Sequence, residues 1–420
     1  MLLGAVADDL TGATDLALML ARGGMRVVQV MEVPSATSDL GAVDAVVVAL
    51  KTRTCPRAEA IDLSLRATDA LLARGARQIL FKYCSTFDST PAGNIGSVAD
   101  ALGERLASPL AIVCPAFPAN RRTIYRGNLF VGDQPLAESP MKDHPLTPMR
   151  DSDLVRLMAA QSKHKVGLVA FETVNAGPDA IRAAFERLRA AGVQYAVCDA
   201  VTDRHLIDLG TAAHDHILIT GGSGIALGLP DNFAAAGLLQ KKSASDRWPA
   251  PAGRGAVLAG SCSDATRGQI ARAIAANLPT RRLDPAEIVG GKLDAQALAA
   301  WALDQNPATP PVIYSSAEPT DVRRVQAEFG TDRAGHAIEV FLADVARHLT
   351  RSGVTRLIVA GGETSGAVVN GLGIGALEIG PEIAPGVPWT RAVGRDLVLA
   401  LKSGNFGGPD FFTDAWSRLD

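Results

Sequence analysis

Two common nucleotide signatures are missing from this sequence. No GxxxxGK followed by Ser or Thr occurs, which excludes a P-loop enzyme. No GxGxxG follows the first predicted strand, which weighs against a dinucleotide fold. The five cysteines, Cys55, Cys84, Cys114, Cys198 and Cys262, lie far apart and form no CxxC pair. That argues against a disulfide framework or a structural zinc site, and most of them read as small buried apolar residues. No stretch approaches the roughly 20 apolar residues of a membrane span. The opening MLLGAVADDLTG has neither a basic n-region nor a long apolar run, so no secretory signal and a cytoplasmic location are expected. The formal net charge is −3, and without a basic excess there is no reason to expect nucleic-acid binding. An anionic ligand would have to be attracted by local groups.

What is present is length and rhythm. At 420 residues the chain exceeds the roughly 250–300 residues at which single cores stop growing, so two domains are expected. In the first half short apolar runs read as buried strands: Leu2–Ala7, Arg26–Val33, Ala45–Leu50, Gln78–Lys82, Leu110–Cys114, Gly167–Phe171, Ala196–Asp199 and Ile217–Thr220. Between them Thr11–Arg22, Arg57–Arg74, Asn94–Ala107 and Asp179–Ala191 carry apolar residues at helical spacing. Gln240–Gly255, rich in Lys, Ser, Ala and Pro, reads as a linker. A second alternation follows, with strands at Ala256–Gly260, Val312–Ser315, Leu357–Ala360 and Leu397–Leu401. Its helices are expected at Ala265–Ala276, Ala295–Ala302, Asp321–Glu328, Ala337–Ser352 and Ser365–Gly371. The expected fold class is α/β, with a domain over 1–239, a linker over 240–255 and a domain over 256–420. Each domain is expected to hold a mainly parallel sheet flanked by helices.

Polar groups gather where strands end. Asp8 and Asp9 follow the first strand and open a helix with Thr11 and Gly12, where a carboxylate can accept hydrogen bonds from substrate hydroxyls or take a proton. The plain alternative is that Asp9 or Thr11 only caps the helix. Lys51-Thr52-Arg53 follows the third strand; Lys82, Ser85, Thr86, Asp88 and Ser89 follow the fourth; Asn120-Arg121-Arg122-Thr123 lies after the fifth. Cations beside hydroxyls at successive strand ends would grip a carboxylate ligand, although any single Arg is as often solvated surface. His144 is a loop residue and a plausible substrate contact. His214 and His216 precede a strand and do not share a helix face, so they are not read as metal ligands.

The second half has three glycine-bearing turns: Gly260–Thr266, Gly361–Gly366 and Lys402–Gly408. Glycine lets backbone N–H groups approach a phosphate, and helix N-termini add unpaired donors. One such turn is weak evidence, but three in one domain suggest a phosphate-binding surface. Gly221-Gly222-Ser223-Gly224 in the first half reads instead as a tight turn.

Together these motifs resemble those of the four-carbon acid-sugar kinases. The resemblance rests on Ala7–Asp15, Gly260–Thr266, Gly361–Val368, Glu378–Gly386 and Lys402–Gly407 in the right order, and spans nearly the whole chain. The Gly-Gly-Glu-Thr-Ser-Gly and Glu-Ile-Ala-Pro-Gly-Val-Pro-Trp stretches are most similar to the branch acting on 3-oxo-tetronates, with threonate and erythronate kinases as sisters. Leu10 stands where the family usually carries Phe, an apolar swap.

The resemblance implies an acid-sugar-binding N-terminal domain, an ATP-binding C-terminal domain and an active site between them. The γ-phosphoryl group would go to the C4 hydroxyl, with Mg²⁺ neutralising charge. ATP contacts would fall on Ser261, Ser263, Gly361, Gly362, Glu363, Thr364 and Gly404. Asp9 or Asp8 would orient the hydroxyl and accept its proton, and Arg53 and Lys82 would hold the carboxylate. Thr11, Asp88 and Arg121 complete the expected substrate set. The sequence leaves open whether Glu363 reaches Mg²⁺ or ribose, and it names no metal ligand. A homodimer is expected from the general frequency of such assemblies. Two other classes also use paired α/β domains and a cationic carboxylate site. An NAD-dependent hydroxy-acid dehydrogenase would need the absent GxGxxG. A non-catalytic sugar-acid binding protein would commonly carry an export signal.

Overall fold

The computed structural model describes residues 1–35, 38–144, 147–240, 248, 250–316 and 330–419. The expected helix over 321–328 lies outside them, as do 241–247 and 249 of the expected linker. The chain divides into two compact units, Met1–Ala244 and Ser245–Asp420.

The first unit is built on a parallel sheet. Its strands are β1 (Leu3–Ala7), β2 (Val27–Val30), β3 (Ala45–Ala49), β4 (Gln78–Lys82), β5 (Ala111–Cys114), β9 (Lys165–Val169), β10 (Val193–Cys198) and β11 (Leu218–Gly221). The spatial order is β2-β3-β1-β4-β11-β5-β10-β9. Strands β1, β3, β4 and β5 are buried along their whole length, as continuous apolar runs on a sheet covered on both faces must be. Flanking helices include α1 (Leu10–Arg22), α2 (Arg57–Ala73) and α3 (Ile95–Arg105). Helix α1 turns Ala13, Leu16, Ala17 and Leu20 inward at spacings of three and four. β1 lies between β3 and β4, so the chain runs to one side of β1 through α1 and later reaches its other side at β4. Such a reversal is where open α/β sheets bind ligands.

The register sharpens this. Ala7 lies opposite both Ala49 and Lys82, so β3, β1 and β4 end level with one another. The Asp8 amide donates to the Lys82 carbonyl at 3.0 Å, and the Thr52 amide donates to the Asp8 carbonyl at 3.0 Å.

The structure adds to the sequence reading in this unit. Short helices α4 (Leu154–Ala159), α5 (Phe171–Asn175), α7 (Asp203–Ala212) and α8 (Leu229–Ala235) accompany the expected α6 (Pro178–Ala190). Phe171, expected in a strand, opens α5. The Asn120–Thr123 segment, expected as a loop, ends a 3-10 turn and enters a small antiparallel sheet. That sheet comprises β6 (Arg122–Tyr125), β7 (Asn128–Val131) and β8 (Gln134–Pro135). Its strands are only partly buried, so no long apolar run advertised them. The glycines of 221–224 serve close packing: a methyl group at Gly221 would lie 2.3 Å from the Cys114 carbonyl oxygen.

The second unit has β12 (Arg254–Ala259), β13 (Thr280–Arg282), β14 (Val312–Tyr314), β15 (Val354–Ala360), β16 (Ala376–Ala384), β17 (Val387–Ala392) and β18 (Val398–Lys402). Their order is β13-β14-β12-β15-β18-β17-β16, parallel up to β18 and antiparallel beyond. The helices are α9 (Asp264–Ala275), α10 (Pro285–Val289), α11 (Ala295–Leu303), α12 (Thr331–Arg351), α13 (Gly362–Gly371) and α14 (Phe411–Asp414). The core joins Val257, Ile358, Val398 and Phe412 around Trp389, which is fully buried and donates its indole N–H to the Ala415 carbonyl at 3.0 Å. The Glu378–Gly386 signature forms most of a hairpin whose turn holds Gly386 at φ 77°. Of the expected linker, Trp248 packs on Gly380, and Arg391 stacks over its ring at 4.7 Å.

Candidate active site

In the first unit the expected polar residues converge at the level ends of β1, β3 and β4. Asp9 is the N-cap of α1, as the plain alternative held: its carboxylate accepts the Gly12 amide at 3.1 Å and the Thr11 hydroxyl at 2.8 Å. It does more than cap, because Arg53 pairs with it at 2.8 Å. Arg53 also binds Asp8 in a fork, Nε to Oδ2 at 2.9 Å and Nη2 to Oδ1 at 2.8 Å, and stands 3.7 Å from Asp88. The guanidinium expected to wait for a ligand carboxylate is therefore engaged by carboxylates of its own chain. Lys82 is buried and donates to the Tyr83 carbonyl at 2.8 Å.

One support of this cluster, Asn94, gave no signal in the sequence. Asn94 donates to the Thr52 and Cys55 carbonyls, both at 2.9 Å, and so pins the loop that carries Arg53. Gly12 has no room for a side chain: a methyl group there would lie 2.3 Å from Asp9 Oδ1 and 2.9 Å from Lys82 Nζ. Asp88 accepts the Thr86 hydroxyl at 2.6 Å. Between them Phe87 adopts φ 60°, strained for a bulky residue, and is held there by burial and an edge-to-face contact with Tyr83. Asp15, one further carboxylate on α1, has a buried Oδ1 without a hydrogen-bond partner among the described residues.

Electrostatics separates the carboxylates. For Asp8, burial outweighs the pull of Arg53, and its carboxyl rises above the ordinary range. Burial also opposes the charge of Asp9, but Arg53 and Lys82 together overcome it and hold Asp9 below its ordinary value. Burial raises Asp15 against the pull of Lys82. Arg53 is disfavoured by burial, yet Asp8 and Asp9 more than restore its charge. The Cys84 thiol is pushed up to about 12 by burial and the nearby Asp88, so it is no nucleophile.

Arg121 is not drawn into this cluster. It is exposed, sits at φ 58°, and pairs with Asp133 at 2.9 Å. His144 accepts the Thr147 amide on Nδ1 at 3.1 Å. His216 is buried and pushed down to about 4, which suits a neutral core imidazole. Among the described residues no group of three or more His, Cys, Asp or Glu side chains is placed to hold a metal ion.

In the second unit Ala360 lies opposite both Ala259 and Lys402, so β12, β15 and β18 also end level. The three glycine turns therefore meet. Ser263 caps α9, accepting the Thr266 amide at 3.3 Å, and donates its hydroxyl to the Gly404 carbonyl at 2.6 Å. A methyl group at Gly404 would lie 2.4 Å from Ser261 Oγ, and one at Gly260 would lie 2.2 Å from Thr364 Oγ1. Gly361, at φ 128°, lies against Thr364 and the Ser261 amide. Gly362 and Glu363 open α13, with Glu363 exposed. Ser261, Ser263, Gly361, Thr364 and Gly404 thus pack together where turns and two helix N-termini meet, an arrangement rich in the backbone donors a phosphate can use. Lys402 and Thr266, which bound two of the glycine turns, and Gln269 pack against these turns with no individual role expected from the sequence. Lys402 was visible as a strand-end cation, whereas Gln269 in mid-helix gave no signal.

Comparison with known proteins accords with this division. A family model described as a sugar-binding N-terminal domain matches residues 3–229, and one described as a nucleotide-binding C-terminal domain matches residues 256–412. A 3-oxo-tetronate kinase from Cupriavidus necator is 54% identical, covering 100% of this chain and 97% of the relative. One from Pseudomonas savastanoi is 50% identical with the same coverage, and one from Salmonella typhimurium is 46% identical, covering 98% of each chain. A crystal structure from Salmonella typhimurium, provisionally described as a tRNA synthase, matches with a TM-score of 0.90 at 45% identity, covering 98% of each chain. A Haemophilus influenzae structure matches with a TM-score of 0.86 at 43% identity, covering 99% of this chain and 100% of the other.

Proposed function

The chain belongs to the four-carbon acid-sugar kinase family, and we propose that it transfers the γ-phosphoryl group of ATP to the C4 hydroxyl of a 3-oxo-tetronate, yielding the 4-phosphate. The observation that carries this reading is the pairing of chemistries. One unit gathers Asp8, Asp9, Asp88, Arg53 and Lys82 at three level strand ends, and the other gathers three glycine turns at three level strand ends. The first suits a polyhydroxy acid, the second nucleotide phosphates.

Asp9 orients the C4 hydroxyl and takes its proton, with Asp8 as its neighbour in that duty. The lowered basicity of Asp9 is tolerable, because a loose phosphoryl-transfer transition state asks more for positioning than for a strong base. The substrate carboxylate is held by Lys82 and by the Nη1 side of Arg53, whose one ion pair among the described residues is the 3.7 Å contact with Asp88. Thr11 and Asp88 contact substrate hydroxyls, whereas Arg121, exposed and paired with Asp133, takes no part in this reading. Turn amides near Ser261, Gly361 and Gly404 hold the phosphates, with Ser263, Gly362 and Thr364 shaping the turns.

Mg²⁺ would find a protein carboxylate beside these turns, the exposed Glu363 at the start of α13. The ion keeps several waters and is bound by one or two carboxylates plus substrate phosphates, so a dedicated cage is not required. When bound it neutralises charge on the phosphates. Glu363 serves Mg²⁺ or the ribose. We place the enzyme in the cytoplasm, in keeping with the absence of any membrane-spanning helix among the described residues, and expect a homodimer.

The test is a coupled ADP-release assay with ATP and Mg²⁺ against D- and L-3-oxo-tetronates, threonates and erythronates. Turnover confined to a 3-oxo-tetronate supports the assignment and gives the enantiomer. Turnover with a threonate or erythronate moves the chain to a sister activity, and no ADP with any of them sinks the substrate assignment.

A further inference from the structure

The turn after β18 is gripped from inside by two side chains without a task in the reading above. Lys402 closes β18 and is fully buried. Its ammonium donates to Thr266 Oγ1 at 3.0 Å and to the Ser403 and Gly404 carbonyls, both at 3.1 Å. These contacts use all three of its protons. Gln269 on α9 directs its amide nitrogen to the next carbonyls, Phe406 and Gly407 at 3.1 Å and Gly408 at 3.0 Å. The Phe406 N–H donates back to the Ser403 carbonyl at 3.1 Å, and drawing these carbonyls inward leaves the other turn amides to serve an anion. This turn also abuts Ser261, through Gly404.

We propose that Lys402 is a positioning residue for the nucleotide. With Gln269 it holds the 403–408 turn amide-side out, and its buried charge lies beneath the phosphates. Nucleotide affinity therefore follows the protonation of this one lysine. The inference rests on the reading that the second unit binds ATP.

The charged groups on elements packed against Lys402 are Arg356 on β15, Arg391 on β17, Glu363 on α13, and Asp264, Arg267 and Arg272 on α9. Among the described residues none of them bonds to the ammonium, whose partners there are a hydroxyl and two carbonyls. Burial alone pushes Lys402 down to about 8. A bound anion favours the charged form, so above that pH nucleotide binding takes up a proton and weakens as pH rises. Folding responds the other way. Between about 8 and the ordinary 10.5 the native chain holds fewer protons than the unfolded one, so stability rises with pH there.

The test is calorimetric binding of ADP to the full chain, without acid sugar, from about pH 6.5 to about 9.5, a window that spans the lysine's titration. The wild-type Kd is expected to rise by up to about tenfold per pH unit above the titration point. Lys402→Met should bind ADP roughly 10- to 100-fold more weakly at neutral pH, without the pH limb. Gln269→Ala should weaken binding and keep the limb. If Lys402→Met fails to fold by circular dichroism, Thr266→Val decides: it removes one acceptor, keeps the charge, and should move the limb to lower pH. A flat wild-type profile, or a folded Lys402→Met with wild-type affinity and slope, overturns the proposal. A wild-type chain that binds no ADP even at neutral pH overturns the nucleotide reading and this inference with it, a result distinct from a normal wild type with an indifferent variant.

Discussion

Arg53 and Asp8, 45 residues apart, meet in a two-bonded fork at 2.8 and 2.9 Å that ties the loop after β3 to the end of β1. The same guanidinium reaches Asp9 at 2.8 Å, so one cation holds two adjacent carboxylates together where their repulsion would part them. The pair is more than a static strut. It sets how readily each carboxylate holds a proton, and it orders the ground on which a substrate would land.

Replacing Arg53 by Lys should therefore not be conservative, because an ammonium cannot reproduce the fork. Asp8 is buried, and breaking a buried pair by removing one partner costs about 3–5 kcal/mol. Arg53→Met is expected to lower the midpoint of urea unfolding. The double variant Arg53→Met with Asp8→Asn should recover part of that loss. Equal stability of the wild type and Arg53→Met would show that the pair is solvated in practice.

Asp9→Asn separates the two duties of Asp9. Asparagine is as good an N-cap as aspartate, so the cap should survive and thermal stability should fall only by what the Arg53 pair contributes. The loss of a charged contact to the substrate should reduce kcat/KM by about ten- to a hundredfold, equivalent to roughly 1.5–3 kcal/mol. Steady-state kinetics beside a thermal melt reads both, and a smaller kinetic loss would end the proposed role of Asp9.

Two glycines should fail for reasons that helix propensity does not foresee. Gly12→Ala places a methyl group against Asp9 Oδ1 and Lys82 Nζ, and Gly404→Ala places one against Ser261 Oγ. The first should raise KM for the acid sugar, and the second should raise KM for ATP. The gain of about 0.4–1 kcal/mol that alanine brings at a compatible glycine should not appear at either position, because both clash. Kinetics with each substrate varied in turn would reveal a reversed assignment.

The acid limb of activity should lie low. Asp9 is held below its ordinary 3.8, so its charge, and the stability that charge adds, are fully present above about pH 4 and are lost as pH falls through the lowered value. Removing Arg53 takes away the largest pull against burial, so the limb of kcat/KM in Arg53→Met should move up by about one unit or more. An unmoved limb would mean that another group sets it.

Asn94→Ala should act at a distance. The carbonyls of Thr52 and Cys55 lose their shared donor, the Arg53 loop loosens, and kcat/KM should fall while ADP binding to the second unit is unchanged. A parallel loss of ADP binding would point to global damage.

Local chemistry was legible in the sequence. Leu2–Ala7 and Leu397–Leu401 could be read as buried strands, each within one residue of the observed bounds, because apolar runs bounded by polar turns have few other uses, and α1 could be read from its spacing and its capping aspartate. The glycines at 260, 361 and 404 announced close approaches of backbone before any neighbour was known. Other features depended on partners distant in the chain. The partly buried β6–β8 sheet carries no strong period. The engagement of Arg53 by Asp8 and Asp9, the isolation of Arg121, and the grip of Lys402 and Gln269 on the 403–408 turn follow from which strands lie side by side and where they end. Composition and periodicity report what a segment needs from its surroundings. Only the paired register, Ala7 beside Ala49 and Lys82 and Ala360 beside Ala259 and Lys402, decides which segments supply it.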